Sequence, residues 1–166
     1  MGSRRDALIL LAGLPALMLM ACGDGREAAA NCKAVTLSDE HDCALCGMTV
    51  VRHPGPKGQA CLRNGDILPF CSTSDLLSWA WQPESGPAIE ALFVHDLSRT
   101  DWESPSDETY VLAGDAWYVA GHQRRGAMGY PPAPFTERAD AEAFAEQHGG
   151  RVYTFNDLSF DIIRGR

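Results

Sequence analysis

The chain has 166 residues, with 14 Lys+Arg against 22 Asp+Glu and a formal net charge of −8, a length that suits one ordinary domain or two very small ones. An apolar fraction of 45% with 22% charged residues excludes a disordered chain. The acidic balance excludes a sequence-independent nucleic-acid binder, which needs Lys and Arg against phosphates. All six cysteines (Cys22, Cys32, Cys43, Cys46, Cys61 and Cys71) fall in the first 71 residues, so thiol chemistry is confined to one end of the chain.

Arg4 and Arg5 precede an apolar run from Ala7 to Ala21. The run has the length of a signal-peptide core and is too short, with Pro15 inside it, to span a bilayer. It ends Leu19-Met20-Ala21-Cys22-Gly23, which resembles a bacterial lipobox. Residues 1–21 then form a lipoprotein signal peptide, and Cys22 becomes an acylated N-terminus holding the chain to the periplasmic side of a bacterial membrane. Residues 22–40 comprise that cysteine and a tether, and removal of Arg4, Arg5 and Asp6 changes the net charge to −9. Accessible thiols tend to pair in an oxidising compartment. With Cys22 acylated five cysteines remain, so at least one is left unpaired, intermolecular or held by a metal.

The rest of the chain predicts an α+β fold of two similar small β-β-α-β lobes from an internal duplication. The first covers residues 41–98, a linker 99–108, and the second 109–166. Strands are expected near 47–52 and 58–62, followed by an Asn64-Gly65 hairpin turn and Ile67-Leu68-Pro69-Phe70. Ser72 caps a helix with Asp75 in its first turn and Leu76, Leu77, Trp79 and Ala80 on its apolar face. Pro83 ends the helix, and Ile89 to Val94 closes the lobe. In the second lobe Thr109 to Ala113 and Ala116 to Ala120 flank Gly114-Asp115 as a hairpin. Thr136 caps a helix running to His148, Gly149-Gly150 stops it, and Arg151 to Phe155 is the last strand. The duplication rests on matching His53 with His122, Met48–Val51 with Trp117–Ala120, Pro69-Phe70 with Pro134-Phe135, and Asp96-Leu97-Ser98 with Asp157-Leu158-Ser159.

Chemistry concentrates in Cys43-Ala44-Leu45-Cys46-Gly47-Met48. A thioredoxin-type dithiol needs a helix N-terminus to acidify a thiol, whereas Gly-Met-Thr-Val-Val predicts a strand. A structural zinc site needs a second Cys/His pair, and the spacing of Cys61 and Cys71 fits no finger or ribbon. A Cu(I) site favours Cys and Met sulfur. Met48 follows Cys46 by two residues and points to the same side of an extended segment. Met128 lies in the glycine-flanked stretch Gly126-Ala127-Met128-Gly129, and these are the only methionines after the signal. His122 and His41 are further candidates for ligands, and a structural role suits His122 and His53 equally. Cys61 and Cys71 either pair as a disulfide or leave Cys71 facing the Cys43–Cys46 pair. No nucleophile-plus-base constellation or cofactor loop speaks for an enzyme.

Cys-x-x-Cys-Gly-Met-x-Val, Phe70-Cys71-Ser72 before a helix, Trp117-Tyr118-Val119-x-Gly121-His122, Met128-Gly129, Pro134-Phe135 and Gly149-Gly150 together resemble the NosL family, over roughly 41–161 plus the lipobox. The resemblance implies a Cu(I)-binding metallochaperone, not an enzyme, that helps assemble the copper–sulfide centre of nitrous oxide reductase. It implies two β-β-α-β lobes, and Cys46, Met48 and Met128 as copper ligands, with Cys43 and His122 less firmly supported. The partners it implies are the copper ion, the periplasmic component of the ABC-type maturation complex, and through it the reductase. Two other functions are open to the sequence: a periplasmic thiol–disulfide protein using Cys43 and Cys46, and a lipoprotein with a structural zinc site.

Overall fold

A computed structural model of the chain describes residues 32–164; the expected signal peptide, lipobox and Cys22 lie outside the described residues. Strands β1 (Gly58–Leu62) and β2 (Ile67–Phe70) form a hairpin around Asn64-Gly65, where Gly65 takes φ +92°, a backbone that suits glycine. Helix α1 (Thr73–Ala80) starts where the Ser72 hydroxyl accepts the Asp75 amide, satisfying one of the free donors of its first turn. β3 (Ile89–His95) and β4 (Tyr110–Leu112) follow. The first sheet has the order β2-β1-β3-β4, antiparallel throughout. β5 (Trp117–Ala120), β6 (Ala133–Phe135), helix α2 (Arg138–His148) and β7 (Arg151–Thr154) form the second unit. Its sheet has the order β6-β5-β7, also antiparallel. A single turn, α3 (Phe160–Ile163), closes the chain, capped by Ser159.

The two units repeat in topology and in register. Gly58 pairs with Phe70 and Gln59 with Pro69, as Trp117 pairs with Phe135 and Tyr118 with Pro134. Each helix starts three residues after its phenylalanine. This register corrects part of the sequence alignment. β1 is the counterpart of β5, so Met48–Val51 has none, and His122 lies level with Arg63 instead of His53. Gln59 faces Phe93 and Tyr118 faces Tyr153, which puts Asp157 one position off Asp96. The Asp-Leu-Ser identity therefore falls on non-equivalent sites.

Three expected elements differ. Residues 47–52 are not a strand: Gly47 takes φ +73°, Thr49 bridges Asp42, and Val50–Arg52 is a turn of 3-10 helix. The 109–113/116–120 hairpin does not form. β4 pairs with β3, and the 3-10 turn Ala113–Asp115 carries the chain into the second sheet. Thr136 does not cap α2: Glu137 holds the cap position without a side-chain bond. Thr136 instead gives its amide and hydroxyl to Asp96 (2.9 and 2.7 Å). The glycine stop at Gly149 and Gly150 is present, at φ +80° and +98°.

One core joins both units. Phe70, Leu76, Leu77 and Val94 pack with Ala116, Tyr118, Leu158 and Ile163, all buried. The far face of the second sheet packs Val119, Ala133 and Phe135 on Ala141 and Trp102. On the far face of the first sheet, Cys61, Ala91 and Phe93 are covered by the segment that starts at Cys32. That segment is held by a Cys32–Cys61 disulfide, by the Gln59 amide on both backbone groups of Val35 (2.8 and 2.7 Å), and by Asp107 on the Leu37 amide (2.8 Å). The Cys61–Cys71 pairing is thereby excluded, and Cys71 takes the other course open to it.

Candidate metal centre

Cys43 and Cys46 sit on a closed loop, not on a strand. Cys43 N–H donates to Met48 O (2.8 Å), and Gly47 N–H donates back to Cys43 O (2.9 Å). Gly47 in the left-handed region makes the reversal possible. Ala44 N–H donates to Pro69 O (2.9 Å), which pins the loop to the end of β2. Phe70 ends β2 and Cys71-Ser72 follow, so the turn into α1 delivers Cys71, and four residues later the first turn of α1 delivers Asp75.

The result is a cluster of three free thiols and one carboxylate. Donor atoms of Cys43, Cys46, Cys71 and Asp75 all lie within 4.8 Å of one another, with Cys43, Cys71 and Asp75 buried and Cys46 half-buried. Cys46 Sγ is 3.4 Å from Cys71 Sγ. The Cys71 thiol donates to Asp75 Oδ2 (3.4 Å), and Cys43 Sγ lies 3.3 Å from the same oxygen. The hydrogen bond with Cys71 draws the Cys43 thiol down to about 4, against the opposing pull of burial. Burial pushes Cys46 up to about 11. Cys71 is raised far more, by its bond to Cys43 and then by burial. Asp75 is raised, with burial as the main cause. Of the three thiols Cys43 is therefore the one drawn down, while Cys46 and Cys71 are held protonated.

Met48 packs half-buried against the same core as Cys46 and Cys43. Met128 stands on a tight turn closed by Gly126 N–H to Gly129 O (2.8 Å) and is 43% exposed, which rules out a core role. Trp102 Nε1–H holds that turn by donating to Arg125 O (2.7 Å), and Gly126 is packed so closely that an added Cβ would lie 2.8 Å from Pro131 Cγ. The Thr73 hydroxyl donates to Pro132 O, joining the start of α1 to the same loop. An open cavity of about 540 Å³ lies between them, lined by Asp75, Ser78, His122, Met128, Tyr130 and Ile163 among others. Asp75 is the residue common to the thiol cluster and to the cavity that Met128 faces.

The histidines fall outside the donor set. His122 is buried, one ring nitrogen bonded to Pro131 O (2.8 Å) and the other accepting the Arg124 amide (3.1 Å). Trp102 and Phe144 meet it edge-on. His41 Nδ1 is taken by the amide and hydroxyl of Ser38, both at 3.0 Å. Sequence reasoning passed over Asp75, which it placed only as a residue of the helix's first turn. It left Cys71 undecided. The available signal was the Cys71-x-x-x-Asp75 spacing across a helix start.

The family model for NosL matches residues 34–163. The chain is 42% identical over 161 residues to a copper-binding lipoprotein NosL of Stutzerimonas stutzeri, covering 97% of this chain and 84% of that protein. It is 35% identical over 122 residues to a protein of the same name from Achromobacter cycloclastes, covering 71% of this chain and 63% of that protein. Among solved structures, the crystal structure of the copper chaperone NosL from Shewanella denitrificans superposes with a TM-score of 0.75 at 38% identity, over 76% of this chain and 96% of that one. With the family model spanning most of the chain and a 42% identical relative covered over 84% of its length, the protein belongs to the NosL family.

Proposed function

We propose that this chain is a Cu(I) metallochaperone, a lipoprotein anchored through Cys22 on the periplasmic side of a bacterial membrane. It delivers copper for assembly of the copper–sulfide centre of nitrous oxide reductase. The observation that carries the reading is a half-buried free thiol, Cys46, on a closed loop that also carries a thioether. That thioether is Met48, and the half-exposed Met128 opens onto a cavity that is also lined by Asp75, the carboxylate beside the thiols. Names borne by the relatives support copper as the cargo.

Cys46 supplies the strong thiolate contact, and Met48 and Met128 complete a coordination of low number that suits Cu(I). Met128 stands on the outer rim, so an incoming partner ligand displaces this thioether first, and copper moves by ligand exchange without entering solution. The receiving partners in this reading are the periplasmic component of the ABC-type maturation complex and, through it, the reductase.

Anaerobic titration of the reduced chain with Cu(I) against a strong chelator tests the reading. One Cu(I) per chain is expected, abolished by Cys46→Ser and weakened about tenfold or more, or about 1.4 kcal/mol, by Met48→Leu and by Met128→Leu. Indifference to both methionine changes would overturn it.

A further inference from the structure

The copper reading uses Cys46 and two thioethers and leaves a buried set on the other side of that thiol: Cys43, Cys71 and Asp75. A carboxylate oxygen is a poor partner for Cu(I) and an ordinary one for Zn(II). A tetrahedral Zn(II), with Zn–S about 2.3 Å and Zn–O about 2.0 Å, sets its ligands about 3.5–3.8 Å apart. The edges found here are 3.4 Å for Cys46–Cys71, 3.3 Å for Cys43–Asp75 and 3.4 Å for Cys71–Asp75, with all four donor atoms inside 4.8 Å. These three edges need to open by only a few tenths of an ångström, and the remaining pairs, all within 4.8 Å, are within reach of one ion after side-chain rotation.

The carboxylate is also free for this role. Asp75 sits where a capping box would turn it back to the Ser72 amide, yet its Oδ2 is directed at the two thiols. A buried cation is near as well: the Lys57 ammonium, held by the carbonyls of His53 and Pro54, acts electrostatically on Cys71. It offsets part of the negative charge of a Cys₃Asp site.

We propose that Cys43, Cys46, Cys71 and Asp75 form a four-coordinate site for a divalent ion of the zinc class, mutually exclusive with Cu(I) because Cys46 belongs to both. The proposal rests on the Cu(I) reading only for that exclusivity. Zn(II) binds as the thiols release their protons, with no change of oxidation state. It masks three thiols that an oxidising compartment would otherwise convert to disulfides. Cu(I) then takes Cys46 together with Met48 and Met128, the broken Zn(II) site loses its ion to solvent, and the freed thiols regain protons. The site acts as a guard for the empty carrier.

The test uses the full chain, purified from membranes in mild detergent and reduced under anaerobic conditions. Zn(II) is titrated against a chelator, and Co(II) serves as the coloured substitute. One ion per chain and the strong visible absorption of tetrahedral thiolate-bound Co(II) are expected. Cys71→Ser should lose this ion by more than the about 10–100-fold typical of outer-shell changes, and Asp75→Asn should weaken it, while both still bind Cu(I). Met128→Leu should do the reverse. Adding one equivalent of Cu(I) to the zinc-loaded chain should release the Zn(II).

Absence of tight Zn(II) binding, a six-coordinate Co(II) spectrum, or indifference to both Cys71→Ser and Asp75→Asn would overturn the proposal while leaving the copper reading intact. Zinc binding that needs Cys71, in a chain that takes no Cu(I), would keep the site and remove the copper reading. Asp75→Asn preserves shape and decides the matter if Cys71→Ser does not fold.

Discussion

Gly47 and Gly126 have no side chain to offer a metal, yet the placement of the proposed ligands depends on them. Gly47 at φ +73° reverses the chain between Cys46 and Met48, and a Cβ there costs about 1–2 kcal/mol in the left-handed region. Gly47→Ala is expected to lower the unfolding free energy by about that amount and to weaken Cu(I) binding with every ligand still present. Chemical denaturation and a chelator competition check the two effects separately, and unchanged affinity would show that the loop tolerates another path. Gly126 is confined for a different reason: its backbone is ordinary, but a Cβ would press on Pro131. Gly126→Ala should therefore shift the turn that carries Met128 and reduce Cu(I) affinity while Zn(II) binding at the thiols stays unchanged. At this scale the sequence was informative about residue types and poor about direction. Met48 and Met128 stood out by scarcity, but the same-side argument for Cys46 and Met48 assumed an extended chain, which the left-handed Gly47 replaces.

Among the elements, the joint between the units depends on one carboxylate. Asp96, wholly buried just past β3, accepts the Thr136 amide and hydroxyl, the Ser98 amide (3.0 Å) and Arg99 Nε (2.7 Å). Although burial opposes it, these bonds hold the group below the ordinary carboxylate range. Leu97 N–H donates to Pro134 O (2.9 Å) beside it. Asp96→Ala leaves buried donors unsatisfied and should cost about 2–4 kcal/mol, read as a lower denaturant midpoint; a change under about 0.5 kcal/mol would mean that the joint is held by packing alone.

Hairpin β1–β2, the Ser72 cap, helix α1 and the glycine stop of α2 were legible because each is written in neighbouring residues. The strand at β4 was legible but its pairing was not, since its partner lies in β3 across a long excursion and nothing local distinguishes pairing backward from pairing forward. Thr136 misled for a related reason: its hydroxyl has a better acceptor forty residues away than the helix it precedes. Cys71 and Asp75 became part of the site only when the Ala44–Pro69 hydrogen bond brought the Cys43 loop against the start of α1. No spacing rule within either segment encodes that contact.

For the molecule as a whole, several titrating groups act with one sign. Burial lowers His95 and His122 below their ordinary 6.5, so the fold holds the neutral form and the unfolded chain takes up the proton first. The stability this confers is present above about pH 6.5 and declines below it. Asp96 and Asp107, held below 3.8 by hydrogen bonds despite burial, contribute stability above that value which is lost as pH falls through it. The thermal midpoint should therefore fall between pH 7 and 5.5 and again below pH 4. His95→Gln should shrink the first decline, and a midpoint flat from pH 7 to 5 would refute the assignment.

The Cys32–Cys61 disulfide closes a separation of 29 residues, worth about 3–4 kcal/mol in chain-entropy terms. Cys61 pairs with Ile67 at the end of the β1–β2 hairpin opposite Phe70 and the thiol cluster. Cys32→Ala with Cys61→Ala should thus lower stability by about that amount and leave metal titrations unaltered.

The proposed donor atoms come from three separate stretches of chain: the loop 43–48, the entry to α1 and the turn at Met128. No short peptide fragment of this protein contains them all, and the unfolded chain has no equivalent site. Occupancy then adds directly to the free energy of unfolding, by RT ln(1 + [L]/Kd). Proteases that act on transiently opened chains sample that same equilibrium. In the copper reading proposed above, an empty carrier is consequently degraded sooner than a loaded one, so its abundance tracks the supply of its own cargo.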